Sequence, residues 1–295
     1  MTESSDRPEI LVGIDGSPGA QAAIRWAAGE AALRDASITL VHVIAPIVPT
    51  WPIETIEAEY AQWQQENAQH LIKQARATID EVVEGASVPM VRDEIRYDGV
   101  VPGLAAVSRT ASMLVLGSRG LGLVGGAVLG SVSRGVLHRA DCPVVIVKGN
   151  AVAAPDQTSP VLLGIDGSPA SEAATAFAFD EASRRGVELV ALLAWSDVGV
   201  FPMFGMDWHK YEQQGHELLA ERLAGWQERY PDVNVRRRIV CDRPAHWLIE
   251  AAVQAQLAVV GSRGRGGFPG MRLGSVSTAV AESAVVPVIV IPEPS

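Results

Sequence analysis

Cysteine is scarce in this chain: Cys142 and Cys241 are the only two. They occupy non-equivalent places in the two halves of the sequence, so no structural disulfide is expected and a reducing compartment is the simplest setting. Long apolar runs are missing too. None approaches the roughly 18 residues that a membrane-spanning helix needs. The stretch Met1 to Glu9 is polar and acidic, without the apolar core of a secretory leader. The expectation is a cytoplasmic protein with no membrane partner. Basic residues are outnumbered, 24 Lys and Arg against 34 Asp and Glu, for a net charge of −10. That argues against nucleic acid as a partner, because non-specific binding needs a basic face. It does not exclude nucleotides, since a local glycine loop can hold phosphate on an acidic protein.

Signatures of catalysis are also absent. No Gly-x-x-x-x-Gly-Lys-Ser/Thr occurs, so this is not a P-loop ATPase. The opening Asp-Gly-Ser is not followed by the Ser-Gly-Gly-x-Asp-Ser loop of ATP pyrophosphatases. The six histidines show no metal spacing and read as structural or surface residues, with His42, near the end of a predicted strand, the partial exception. No Cys-His or Ser-His-Asp set recurs, so no catalytic residue and no metal ligand set is assigned. Gly120-Leu121-Gly122-Leu123-Val124-Gly125 matches the dinucleotide fingerprint literally, but it follows the fourth predicted strand, and Pro269 breaks it in the second half. A fingerprint of that kind belongs after the first strand, and it is discounted.

What the chain does contain is a duplication. Leu11-Val12-Gly13-Ile14-Asp15-Gly16-Ser17-Pro18 returns as Leu162-Leu163-Gly164-Ile165-Asp166-Gly167-Ser168-Pro169. Gly117-Ser118-Arg119-Gly120, nine residues, then Gly130-Ser131-Val132-Ser133 returns as Gly261-Ser262-Arg263-Gly264, nine residues, then Gly274-Ser275-Val276-Ser277. The ending Cys142-Pro143-Val144-Val145-Ile146-Val147 returns as Val286-Pro287-Val288-Ile289-Val290-Ile291. Two domains follow, 1–150 and 151–295, joined by the Ala-, Pro-, Ser- and Asp-rich stretch from Gly149 to Pro160.

In the first copy, short apolar runs predict strands at Ile10–Ile14, Ile38–Ile44, Val88–Tyr97, Met113–Leu116 and Pro143–Val147. The third is charged, as suits a sheet edge. Helices are predicted from Pro18, capped by Ser17, and over Glu54–Glu84, Val101–Ala111 and Ser131–Ala140. The second copy repeats this order, with its long helix at Trp208–Tyr230. Alternation of strand and helix implies two tandem doubly wound α/β domains, each with a five-stranded parallel sheet. With strand order 3-2-1-4-5, the reversal falls between strands one and four, and ligands bind at such a point. Asp15 leaves strand one and the Gly117 loop leaves strand four, so the two most distinctive features of each copy would face each other.

A strand, a glycine loop and a helix N-terminus make a phosphate cradle: glycines admit backbone N–H groups to an anion, and the helix end favours negative charge. One copy alone is equally a tight turn that needs glycine. Two copies at identical spacing favour a ligand.

The Asp-Gly-Ser opening and the Gly-x-x-Gly, nine residues, Gly-Ser pattern resemble the universal stress protein family over almost the whole chain. Tandem actinobacterial members look similar throughout, including the stretch Ala220 to Pro231. The family contains members that bind ATP and members that do not, and the intact glycine pattern marks the binders. The resemblance therefore implies one ATP per domain, with or without Mg2+, and a non-catalytic regulatory role in stress or dormancy. A slow ATP hydrolase or nucleotidyl transferase is the alternative.

It implies these binding residues: Gly13, Asp15, Val41, Gly117 to Leu123 (Ser118, Arg119, Gly120, Leu121 and Gly122 included), Gly130, Ser131, Val132 and Ser133. In the second domain they are Gly164, Asp166, Leu192, Gly261, Ser262, Arg263, Gly264, Arg265, Gly266, Gly267, Gly274, Ser275, Val276 and Ser277. Several have two readings. Ser131 can cap its helix and offer a hydroxyl. Asp15 and Asp166 can form an Asx-turn or meet the ribose or adenine, and are the nearest candidate Mg2+ ligands. Val41 and Leu192 would give backbone groups only. Arg119 and Arg263 either neutralise phosphate or are solvated. Arg265 and Arg272 add positive charge to the second loop, with Leu121 in the first copy at the place of Arg265, and predict sites of different affinity. The loops Pro46–Pro52 and Trp195–Trp208 carry Trp51, Phe201, Met203, Phe204 and Met206 and read as local apolar clusters, or as lids or subunit contacts. The apolar last strands suit sheet edges that pair, and a homodimer is expected.

Overall fold

The computed structural model describes residues 8–46, 54–83, 89–120, 129–149, 156–194, 208–265 and 272–294, with the side chains of 54–58, 208–212 and 214 left aside. They fall in two compact units, those up to Gly149 and those from Asp156 onward.

The first unit runs β1 (Glu9–Gly13), α1 (Pro18–Arg34), β2 (Ser37–Ile44), α2 (Glu54–Val82), β3 (Val91–Tyr97), α3 (Val100–Val107), β4 (Met113–Gly117), α4 (Ser131–Leu137) and β5 (Val144–Val147). The second runs β6 (Val161–Ile165), α5 (Pro169–Arg185), β7 (Leu189–Ala194), α6 (Trp208–Arg229), β8 (Val235–Val240), α7 (Pro244–Ala252), β9 (Leu257–Gly261), α8 (Ser275–Ser283) and β10 (Val288–Ile291). Within each unit every strand pair is parallel. The orders are β3-β2-β1-β4-β5 and β8-β7-β6-β9-β10. This is the expected doubly wound fold, twice.

The strands behave as their sequences require. β1, β4, β6 and β9 lie between two neighbours and are apolar on both faces, with Ile10, Val12, Leu114, Val115, Leu163 and Val259 fully buried. Each such aliphatic side chain stabilises its unit by roughly 1.5–3 kcal/mol. β3 and β8 are outermost and expose Arg92 and Asp93, or Arg236 and Arg237.

α1 begins where Ser17 Oγ accepts the Ala20 N–H at 3.1 Å, with Pro18 in the first turn. Ser168 does the same for Ser171 at 3.2 Å. The buried face of α1 is mostly alanine, at 20, 23, 27, 28 and 31. Small residues let the helix axis come close to the sheet, and that closeness shapes the site. Near the far end of each helix a buried glutamate pairs with an arginine one turn on: Glu30 with Arg34, and Glu181 with Arg185.

Several expected boundaries shift. The helix expected over Val101–Ala111 stays α-helical only to Val107 and tightens into a 3-10 turn over Ser108–Thr110. The helix expected to reach Ala140 stops at Leu137, because the Arg139 and Ala140 N–H groups both turn back onto the Val136 carbonyl at 2.8 Å. β3 starts at Val91 rather than Val88. The loop residues 47–53 and 195–207, and the fingerprint-like residues 121–125, lie outside the described residues.

Candidate functional site

Strand order reverses between β1 and β4, and between β6 and β9. The chain leaves β1 through Asp15-Gly16-Ser17. Asp15 Oδ1 accepts the Ser17 N–H at 2.9 Å, and Gly16 takes φ 81°. Asp166 accepts the Ser168 N–H at 2.9 Å, with Gly167 at φ 79°. The Asx-turn reading of both aspartates is therefore realised, and glycine is needed because that φ is costly for any residue with a Cβ. The turn uses one carboxylate oxygen. The other is aimed at the glycine loop: a methyl group on Gly120 would run into Asp15 Oδ2, and one on Gly264 into Asp166 Oδ2. The facing of aspartate and loop expected from the strand order is present in both units.

The glycine loop is pinned from several sides. Gly117 ends β4 against the first turn of α1, where an added Cβ would stand 2.6 Å from the Gly19 carbonyl oxygen and 2.8 Å from the Ala20 nitrogen. Gly261 meets the Ala170 carbonyl carbon at 2.7 Å in the same way. The nine-residue excursion is closed by the Gly130 N–H on the Ser118 carbonyl at 2.8 Å and by Gly274 on Ser262 at 2.7 Å. Ser118 and Ser262 also donate their N–H groups to Val147 and Ile291 at the ends of β5 and β10. Ser133 and Ser277 are buried and donate their hydroxyls to the Gly117 and Gly261 carbonyls at 2.7 and 2.6 Å. Ser17 and Ser168 reach the Arg119 and Arg263 carbonyls at 3.3 and 3.0 Å. These four serine hydroxyls fix the loop from behind.

One expectation needs correction. Ser131 and Ser275 do not cap their helices. The caps are Gly130 and Gly274, in extended conformation, with no side-chain hydrogen bond. The serines stand one residue inside, exposed, because the chain needs its extended residue where the loop closes. Among the described residues, the cap thus offers these first-turn N–H groups no side-chain acceptor, the state in which they can meet an anion.

Other expected residues are placed less tellingly. The space over Gly13 is taken by Leu104 and Leu116, and that beside Gly164 by Leu248 and Val260, at 3.1 Å from a Cβ there. Val41 is buried, and its carbonyl accepts the Ile14 N–H at 2.9 Å. His42 lies within β2, its Nδ1 2.8 Å from the Ile14 carbonyl oxygen. Arg263 is ion-paired with Glu293. Leu121, Gly122, Leu123, Gly266 and Gly267 lie outside the described residues.

In the second unit these parts enclose a cavity of about 780 Å3. Its walls include Asp166, Leu192, Gly261, Gly264, Arg265, Gly274 and Ser275. The backbone N–H of Arg265 donates to Asp166 Oδ2 at 3.0 Å, so aspartate and loop are tied directly. The cavity also takes in Ser171 and the turn after β8 with the start of α7: Asp242, Arg243, Pro244, Ala245, His246 and Leu248. Sequence reasoning missed that wall. The signal was the third strand's end, where Tyr97-Asp98-Gly99 matches Cys241-Asp242-Arg243. Among the described residues no group of three or more His, Cys, Asp or Glu is arranged to hold a metal ion. Burial pushes the Cys142 thiol up to about 12.

Each half is thus a doubly wound α/β domain with a pinned glycine loop at its reversal point, and the chain is a tandem pair of them. It belongs to the universal stress protein family, whose model matches residues 7–148 and 158–292. A universal stress protein of Mycolicibacterium smegmatis is 55% identical over 291 residues, covering 99% of each chain. Universal stress protein Rv2623 of Mycobacterium tuberculosis is 49% identical, covering 98% of each. The crystal structure of a universal stress protein from Archaeoglobus fulgidus matches with a TM-score of 0.72 over 97% of this chain and 98% of that one, at 23% identity, and so shares the fold. No helix among the described residues is long and apolar enough to cross a membrane.

Proposed function

We propose that each unit binds one ATP and that the bound nucleotide acts as a regulatory signal, in a cytoplasmic protein that works as a homodimer. The observation that carries this reading is the pinned glycine loop, where side chains would collide with Asp15 or Asp166 and with the start of α1 or α5. Such a loop brings bare backbone N–H groups to a point that faces a carboxylate. N–H groups suit the phosphates, and Asp15 and Asp166 suit ribose hydroxyls. Ser131 and Ser275, exposed in the first helical turn, add hydroxyls to the phosphate side. Arg265 adds charge in the second unit. A magnesium ion carried in with the phosphates would have Asp15 or Asp166 as its nearest carboxylate.

Regulation rather than turnover is our reading because, among the described residues, no hydrogen-bonded pair of nucleophile and base lies beside the loop. Mass spectrometry of freshly purified, denatured protein tests the binding: ATP or another adenine nucleotide is expected, and its absence together with failure of added ATP to bind would sink the reading. Multiple turnovers of phosphate release, abolished by Gly117→Ala and Gly261→Ala together, would replace regulation by slow hydrolysis.

A further inference from the structure

The far wall of the second unit's cavity carries polar groups for which the phosphate cradle has no use. Asp242 and Arg243 both line it. They are consecutive non-glycine residues in left-handed conformation, at φ 53° and 47°. Aspartate visits that conformation readily, but a long side chain such as Arg243 does so rarely, and strained positions of that kind gather at ligand sites. At the matching positions the first unit has Asp98 and Gly99, and its backbone turns differently. There Gly99 sits at φ −60°, and Asp98 Oδ1 is occupied by the Gly99 N–H at 2.7 Å. In the second unit, among the described residues, neither the Asp242 carboxylate nor the Arg243 guanidinium has a hydrogen bond or ion pair. The neighbouring charges pair with one another instead, Arg238 and His246 with Glu250 at 3.6 and 3.7 Å.

The sheet order fixes which end of a ligand meets this turn. β8 lies three strand spacings from β9, about 14 Å at the strand ends. A nucleotide whose phosphates lie on the loop after β9 reaches the turn after β8 only with its base. A guanidinium offers donors alone and a carboxylate acceptors alone. Guanine presents the acceptors O6 and N7 side by side, the pair that arginine meets with two hydrogen bonds, and it presents the donors N1–H and N2–H2 on its adjoining edge. Adenine puts the N6 amino donor where guanine has O6, so it gives arginine one acceptor and one clash of donors.

We propose that the second unit's site takes a guanine nucleotide as well as an adenine one, with Arg243 donating to O6 and N7 and Asp242 accepting from N1–H and N2–H2. The first unit, with Gly99 in place of the arginine, takes adenine alone. This rests on the reading of the glycine loop as a nucleotide phosphate cradle.

The test is calorimetric titration of nucleotide-stripped, full-length protein with ATP, GTP and inorganic tripolyphosphate, in the natural chain and in Arg243→Gly and Asp242→Asn. Glycine favours the left-handed conformation at 243, and asparagine tolerates it at 242, so both variants are expected to fold. GTP should bind at one site per chain. Arg243→Gly should weaken GTP about tenfold or more and leave ATP within about twofold, and Asp242→Asn should act in the same direction. ATP binding without GTP binding would overturn this proposal alone, as would an Arg243→Gly variant that loses ATP and GTP equally or loses neither. Failure of all three ligands to bind would overturn the cradle reading, and this proposal with it.

Discussion

Both units turn out of their first strand on Asp-Gly-Ser-Pro, and directly after the proline they part, with Gly19 against Ala170. The first unit has Ala20 and the second Ser171, whose buried hydroxyl accepts the N–H groups of Asp166 and Gly167 at 3.0 and 3.4 Å. Further differences collect around the same cavity. Glu293 holds Arg263, whereas the first unit has Gly149 at that place. Arg243 stands for Gly99, His246 for Pro102 and Arg265 for Leu121. Away from the site, the buried pairs Glu30–Arg34 and Glu181–Arg185 recur at matching positions. Duplication has kept the scaffold and the glycine loop of each unit, and has let the wall after the third strand and the charge of the second unit diverge.

The glycines that end β4 and β9 should break both sites, though not equally. An added Cβ at Gly117 presses closer to the helix backbone than one at Gly261. Crowding of that kind costs about 1–3 kcal/mol, so Gly117→Ala should weaken ATP at the first site by about a hundredfold. Gly261→Ala should cost the second site less. Titrations of the two single variants check the ranking, and a milder Gly117 variant would count against the geometry.

Ser171→Ala would make the second turn like the first. It leaves the part-buried N–H of Asp166 without that acceptor, a loss of about 0.5–1.5 kcal/mol. Denaturant unfolding should show the second unit destabilised, with a smaller loss of affinity at its site. No change would mean that the hydroxyl is incidental.

The cysteines give the smallest contrast. Cys142 is buried and Cys241 half-buried. The folded Cys142 thiol, at about 12, lies above its ordinary 9.0. Its contribution to stability is therefore complete below about pH 9 and is lost as pH rises towards 12. Unfolding at pH 8 and at pH 10.5 should show a larger drop for the natural chain than for Cys142→Ala. At pH 8 a thiol reagent should label Cys241 first in the folded protein.

Much of this was legible in the sequence. The repeat follows from short motifs, and so, once the strand order 3-2-1-4-5 is taken, does the facing of Asp15 and Asp166 with their glycine loops, because a tight turn and a close approach each demand one residue type. Other features rest on contacts between distant segments. The role of Ser133 and Ser277 could not be separated from that of Ser131 and Ser275, since all four are serines near one helix start and only the fold shows which hydroxyls face inward. The wall from Asp242 to Leu248 was missed for a similar reason. Its one sequence marker is the aspartate shared by Asp98 and Asp242, and three strand positions separate it from the loop it faces. The ion pair that engages Arg263 depends on Glu293, thirty residues further along the chain.

The central claim is that one chain carries two nucleotide sites built on one plan and differing in strength. Calorimetric titration of the nucleotide-stripped natural chain with ATP tests it most directly. Two molecules should bind per chain with distinguishable affinities, and Gly117→Ala should remove one class and Gly261→Ala the other. A single class of identical sites, or binding that survives both substitutions together, would contradict it.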